Sequence, residues 1–140
     1  MFHHILISYD GSANSKKALE YGIDFAMHAG AALTLVTVFE KVPAYLPEPQ
    51  RQEVVAWMNA EARRTAEMGA EQARACNIEK VNVNVLEGMP AECILSAAEL
   101  NGCDCIVVGA RGKGEMAEVL LGSVSDRLVR HAKIPVLVVK

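Results

Sequence analysis

The 140-residue sequence predicts a doubly wound α/β fold, and three observations carry that expectation. Short runs of branched apolar residues alternate with segments of helical apolar spacing from one end of the sequence to the other. The fourth run, Cys105-Ile-Val-Val108, passes without a linker into a glycine-bearing stretch and then into an amphipathic helical pattern. No internal repeat or low-complexity segment interrupts the order. Strict alternation implies five parallel strands joined by right-handed crossovers, with four helices distributed over both faces of the sheet.

Residues 3–9 are the first apolar run and the first strand. Between Ser12 and Ala29, residues Ala18, Leu19, Gly22, Ile23 and Ala26 recur at the spacing of a helix with one buried face, and Gly30 supplies its stop. Ala32 to Phe39 is rich in branched residues and reads as the second strand, followed by a loop carrying Pro43, Pro47 and Pro49. A long helix is expected from about Gln52 to Cys76. Its side bearing Val55, Met58, Ala62, Ala66, Gly69 and Ala73 is mostly small enough to lie close against a sheet. Val81, Val83 and Val85 alternate with Asn82 and Asn84, which places the third strand at a sheet edge with one face exposed. Pro90 suits the first turn of a helix that turns Ala91, Ile94, Leu95 and Ala98 inward. Asp104 to Val108 is the fourth strand. Leu121, Val124, Leu128 and Ala132 mark the last helix, and Pro135 opens the final strand, Val136 to Val139.

The length fits one domain over residues 1–140, able to bury about two-thirds of its unfolded surface. With 51% hydrophobic and 22% charged residues the protein falls outside the disordered class. A net charge of −3 argues against a nucleic-acid partner, which would demand a concentrated basic surface. No apolar stretch approaches the roughly 20 residues of a membrane span and the N-terminus lacks a signal-peptide layout, so a cytoplasmic protein without membrane insertion is expected. Cys76, Cys93, Cys103 and Cys105 contain no C-x-x-C. Cys103 and Cys105 should share a face at the start of a strand, and all four read as small buried hydrophobes. His3 and His4 alternate faces without ligand spacing, while His28 and His131 sit near helix C-termini, where a partly positive imidazole is favourable. Trp57 and Met58 read as packing on the long helix, after a loop that could close over a crevice. No G-x-S-x-G elbow, Cys–His pair or Walker A lysine is present.

The chemistry gathers in two loops. Gly109, Gly112, Gly122 and Ser123 have the spacing G-x2-G-x9-G-S, which is neither a Walker A loop nor the dinucleotide G-x-G-x-x-G. A side-chain-poor loop after a strand lets backbone N–H groups approach an anion, and the following helix offers its unpaired first-turn amides and positive dipole end. Ser123 would cap that helix or donate to a phosphate oxygen, Val124 adds an amide, and Ser125 is a weaker hydroxyl candidate. Charge-assisted bonds of this kind contribute about 1.5 to 3 kcal/mol each. Arg111 and Lys113 either neutralise a polyphosphate tail or stay solvated, and Glu115 and Glu118 dilute their charge. Asp10-Gly11-Ser12 reads as a turn that also caps the first helix. The Asp10 carboxylate suits a ribose hydroxyl or a magnesium ion bridging to phosphate.

Together with the opening His4-Ile-Leu-Ile-Ser-Tyr-Asp10-Gly-Ser and the ending Ile134-Pro-Val-Leu-Val-Val139, this glycine spacing resembles the ATP-binding branch of the universal stress protein family over essentially the whole sequence. The resemblance implies the strand order 3-2-1-4-5, which sets strands one and four side by side so that the loops starting at Asp10 and Gly109 converge on one crevice. It implies ATP, with or without magnesium at Asp10, in a site formed by Ser8, Tyr9, Asp10, Val38, Val108, Gly109, Arg111, Gly112, Gly122, Ser123, Val124 and Ser125. Val38 lines the adenine pocket in that picture, with Ser8 and Tyr9 beside it. Tyr9 departs from the smaller residue or proline that family members often carry there, and it either stacks on a base or fills the core. The implied function is a regulatory module whose nucleotide state changes its conformation or assembly in the stress response. A slow ATPase, a phosphotransfer protein modified at Ser123 or Ser125, and a structural dimer with an unoccupied site are the alternatives. A homodimer through the last strands is also implied, and the apolar run Val136–Val139 supports it independently, since such an edge left bare invites uncontrolled pairing.

Overall fold

The branched runs form strands and the helically spaced segments form helices, in the expected order. The computed structural model describes residues 1–112 and 121–140. Its elements are β1 (His4–Ser8), α1 (Ala13–Ala29), β2 (Ala32–Phe39), α2 (Gln50–Ala75), β3 (Val81–Glu87), α3 (Pro90–Leu100), β4 (Cys105–Gly109), α4 (Ser123–His131) and β5 (Val136–Val139). All four strand pairings are parallel, and the sheet order is β3-β2-β1-β4-β5. No helix among the described residues is long and apolar enough to cross a membrane.

Because side chains alternate along a strand, the central strands split their apolar residues between two cores. Ile5, Ile7, Leu33, Leu35 and Val107 pack with Leu19 and Ile23 of α1 and Ala73 of α2. Leu6, Val36, Ile106 and Val108 pack on the opposite face with Ile94 and Ala98 of α3 and Leu128 of α4. The buried stripe of α1 is the expected Ala18, Leu19, Gly22, Ile23 and Ala26, with Ser15 added. A Cβ on Gly22 would come within 2.4 Å of the Ile7 Cδ1, so α1 lies close on β1 and any larger residue there would push the Ile7 side chain aside.

Several boundaries differ from expectation. The buried side of α2 is Ala62, Ala66, Gly69, Ala70 and Ala73, whereas Val55 and Met58 are only half-buried. The first and last helices differ in their starts: Ser12 caps α1, but α4 begins at Ser123, leaving Leu121 ahead of it. β3 is an edge strand as predicted, and its exposed face carries Asn82, while the Asn84 side chain accepts from Asn101 at 3.0 Å. Cys103 and Cys105 do not share a face. Cys103 lies before the strand begins and packs with Leu6, whereas Cys105 packs with Ile5 on the other side. All four cysteines are free thiols, and burial, with Asp104 and Cys105 adding to it, pushes the Cys103 thiol up to about 11.

Asp104 ties the entry of β4 to that of β1. Its carboxylate accepts the His3 N–H at 2.7 Å and the His4 N–H at 3.2 Å. Burial acts to raise its pKa, but the two backbone donors outweigh that and hold the group below its ordinary value. A depressed folded pKa stabilises the fold above the unfolded value, near 3.9, and that contribution disappears as pH falls through the folded value. Asp104→Asn should therefore cost about 1 kcal/mol at pH 7, a figure reduced for solvent screening at this half-exposed site, and the gap to the parent in urea unfolding should close below about pH 4.

Candidate functional site

β1 and β4 are neighbours, yet α1 leaves toward one face of the sheet and α4 toward the other. The fold thus opens a crevice at their carboxyl ends, the place where doubly wound sheets hold ligands. A cleft of about 1140 Å³ lies there, and all twelve sequence-predicted residues line it. Lys113, Glu115 and Glu118 lie outside the described residues.

The first loop is both a turn and a cap. Asp10 Oδ1 accepts the Ser12 N–H at 2.9 Å, Gly11 takes φ +81°, and the Ser12 hydroxyl accepts the Ser15 N–H at 3.3 Å. The second Asp10 oxygen, Oδ2, lies 3.2 Å from where a Cβ on Gly112 would sit, so the two loops face each other across the cleft. Gly109 is needed for a different reason than a turn angle. A Cβ there would lie 2.9 Å from both the carbonyl carbon and the carbonyl oxygen of Asn14, so the first turn of α1 rests directly on the end of β4. With its amide oxygen turned toward Arg111, Asn14 also accepts from the Arg111 N–H and Nε at 3.3 Å, which anchors that arginine beside the cleft.

The start of α4 is fixed by backbone bonds. Gly122 is the N-cap, so this helix has no side-chain cap, and Ser123 stands one position inside it and not at the cap. The Gly122 N–H donates to the Ala110 carbonyl, and the Ser125 hydroxyl donates to the same oxygen at 2.7 Å. Ser125, 2% exposed, therefore staples α4 to the end of β4. The amides of Val124 and Ser125 have no acceptor among the described residues, in contrast to the start of α1, which Ser12 caps. They point their partial positive charge at the cleft.

Tyr9 fills the core: it is 5% exposed, and its ring edge lies 3.2 Å from the Cβ position of Gly69 on α2. Burial, reinforced by Asp10, raises its hydroxyl pKa. Val38 owes its position to strand alternation. Ala32 and Val36 bond toward β1, whereas Leu33 and Phe39 bond toward β3. Val38 therefore directs its N–H and C=O toward β1, but pairing with β1 stops at Ser8–Val36 because the backbone turns away at Asp10. The next acceptor along, the Tyr9 carbonyl, takes the buried Thr37 hydroxyl at 2.7 Å. One backbone donor and one backbone acceptor thus face the cleft in the plane of the sheet.

Residues that sequence reasoning left in the core or loops also line the cleft, among them Thr37, Trp57, Met58, Met89, Pro90 and Ile94. The length of the α2 pattern, greater than that of any other helical segment in the sequence, was the available signal that its first turns project past the strand ends.

The family model of universal stress proteins matches residues 1–140. A Thermus aquaticus universal stress protein, named for the QAH/OAS sulfhydrylase 3′ region, is 37% identical over 140 residues, covering 100% of both proteins. The solved structure of MJ0577, a universal stress protein of Methanocaldococcus jannaschii, superposes with a TM-score of 0.86 at 28% identity and covers 100% of this protein and 96% of that one. The universal stress protein from Archaeoglobus fulgidus in complex with dAMP shares the fold, with a TM-score of 0.73 at 18% identity over 99% of this protein and 98% of its own length. From glycine spacing, strand order and whole-length identity alike, the chain belongs to the universal stress protein family.

Proposed function

We propose that this protein binds an adenine nucleotide, ATP by its glycine motif, and acts as a regulatory module whose nucleotide state alters its conformation or assembly in the stress response. The observation that carries the reading is the convergence in one cleft of three complementary groups: the backbone edge of Val38, the Asp10 carboxylate and the glycine-capped start of α4. Adenine offers an acceptor at N1 and a donor at N6, the complement of the Val38 N–H and C=O. Gly109, Gly112, Gly122, Ser123 and Val124 surround the phosphates, with Arg111 beside them, and Asp10 meets the ribose or a nucleotide-borne magnesium. Among the described residues no three carboxylate, thiol or imidazole groups could hold a metal alone, so magnesium arrives with the phosphates. The dAMP complex of the A. fulgidus relative supports the nucleotide class. Free thiols suit a reducing compartment, and we place the protein in the cytoplasm.

Mass spectrometry of small molecules released from freshly purified protein, followed by calorimetry with ATP with and without magnesium, tests the reading. Absence of adenine nucleotide in the first and of heat in the second removes it. Gly122→Val puts a branched side chain at the buried N-cap and should weaken ATP binding at least tenfold while unfolding stays cooperative; unchanged affinity takes Gly122 out of the site.

The assembly in this reading is a homodimer through β5, the edge strand next to β4. Val136, Leu137 and Val138 are each only half-buried there, so a second copy would cover apolar surface as well as backbone groups. Val138→Lys should elute as a monomer on a sizing column, and a dimer of unchanged elution volume refutes this interface.

A further inference from the structure

The first half of α2 has no ordinary structural reason to be where it is. A helix of 26 residues reaches about 39 Å, well beyond the eight-residue strand it packs on. Between Gln50 and Glu61 no side chain is buried, and the core contacts begin only at Ala62. An ion pair between Arg51 and Glu87 at 4.0 Å ties this segment to the end of β3. Its cleft-facing residues are Trp57, 66% exposed, Met58, half-buried, and Glu61 at the end of the segment. The apolar surface that Trp57 and Met58 leave uncovered faces the cleft, where a ligand can bury it.

Sheet geometry says which part of a ligand that is. Hydrogen bonds to the Val38 backbone lie in the plane of the sheet, so a planar group held by them continues that plane outward. α2 lies on one face of the sheet and α3 on the other. Both helices flank the cleft, α2 with Met58 and Trp57, and α3 with Pro90 and Ile94 at its start. A ring bonded to Val38 therefore presents one face to each helix.

Resting on the adenine-nucleotide reading above, we propose that the overhanging half of α2 is the base-positioning wall of the site, with Met58 against one face of the adenine, Trp57 at its rim, and Pro90 and Ile94 against the other face. Thioether and indole groups suit this task, because a polarizable sulfur and an aromatic face both gain from contact with a π system without demanding a particular hydrogen-bond pattern. Base contact and phosphate contact are then made by separate elements, α2 and α3 for the first, the glycine loop and α4 for the second.

That division gives the experiment. Calorimetry compares ATP with inorganic tripolyphosphate, which has the phosphates and no base, on the parent, Met58→Ser and Met58→Leu. Met58→Ser should weaken ATP at least fivefold and leave tripolyphosphate within twofold, while Met58→Leu, which restores apolar area, should stay within threefold of the parent for both. The sequence has one tryptophan, so emission reports Trp57 alone. Saturating ATP should shift or quench it, and saturating tripolyphosphate should not. Met58 is outside the core, and matching thermal melts will show that the serine variant is folded. ATP affinity unchanged in Met58→Ser, or equal losses for both ligands, overturns the wall while leaving the nucleotide reading intact. A parent protein that binds ATP no better than tripolyphosphate overturns both.

Discussion

Gly109→Val should lower unfolding free energy by about 3 kcal/mol and the melting temperature by roughly 10 °C. The reason is the identity of the atoms in the way. A Cβ at this position meets the carbonyl carbon and oxygen of Asn14 at 2.9 Å, and these belong to the first turn of α1. A side-chain tip could rotate aside, but backbone moves only with its helix, and α1 is held on the sheet by Ala18, Leu19, Ile23 and Ala26. Gly30 provides the contrast. It ends α1 at φ +65° with nothing within 4 Å of its Cβ position, so Gly30→Ala should cost only about 1 kcal/mol, from backbone conformation alone. Asn14→Gly should fail to rescue Gly109→Val, since two of the three obstructing atoms remain. Displacing α1 also moves Ser12 and with it the Asp10 turn, so the variant should lose nucleotide affinity along with stability. Urea unfolding that places Gly109→Val within about 0.5 kcal/mol of the parent, the spread of an ordinary surface substitution, would mean that α1 does not rest on β4 as described.

That glycine also shows how far sequence reasoning reaches. The motif made Gly109 conspicuous, and a phosphate loop suggested that its role was to admit a ligand or a turn. The contact with Asn14 joins residues far apart in sequence and depends on β1 and β4 being neighbours, which no local pattern encodes. Elements whose signal is periodic were legible: the stripe of α1 and the small-residue face of α2 lie where spacing placed them, and β3 is the edge strand its alternation suggested, although only Asn82 of its two asparagines is exposed. Loops whose geometry is local were legible too, and Asp10-Gly11-Ser12 is the turn and cap its residue types specify. What spacing could not resolve is choice among partners at long range. Tyr9 could serve a base or the core until Gly69, on a distant helix, was seen to leave room for its ring. Ser125 looked like a ligand hydroxyl, but the Ala110 carbonyl lies 2.7 Å from it. Val38 was named through family resemblance, and the strand register adds what no side-chain pattern encodes, a backbone N–H and C=O turned toward the β1 side beyond the last paired residue.

Under the proposed adenine reading, the same register predicts that the protein discriminates ATP from GTP by about a hundredfold. In the proposed pose adenine sets its N6 donor and N1 acceptor against the Val38 carbonyl and amide. Guanine carries an acceptor at O6 and a donor at N1, so the same pose sets acceptor against acceptor and donor against donor. Each buried polar group left unpaired costs about 1 to 3 kcal/mol, so two such mismatches cost about 2 to 6 kcal/mol, a range that includes the roughly 2.7 kcal/mol of a hundredfold ratio. Val38→Pro isolates the cause. Proline removes the N–H that faces the cleft, while the ladder to β3, carried by Leu33, Leu35, Thr37 and Phe39, keeps its donors. ATP affinity should then fall about tenfold with GTP nearly unchanged, so that the ratio between them drops to roughly ten. Competitive calorimetry of the two nucleotides on both proteins measures this directly. If the parent already binds ATP and GTP equally, the β2 edge does not read the base, and selectivity among nucleotides must come from the phosphate side of the cleft.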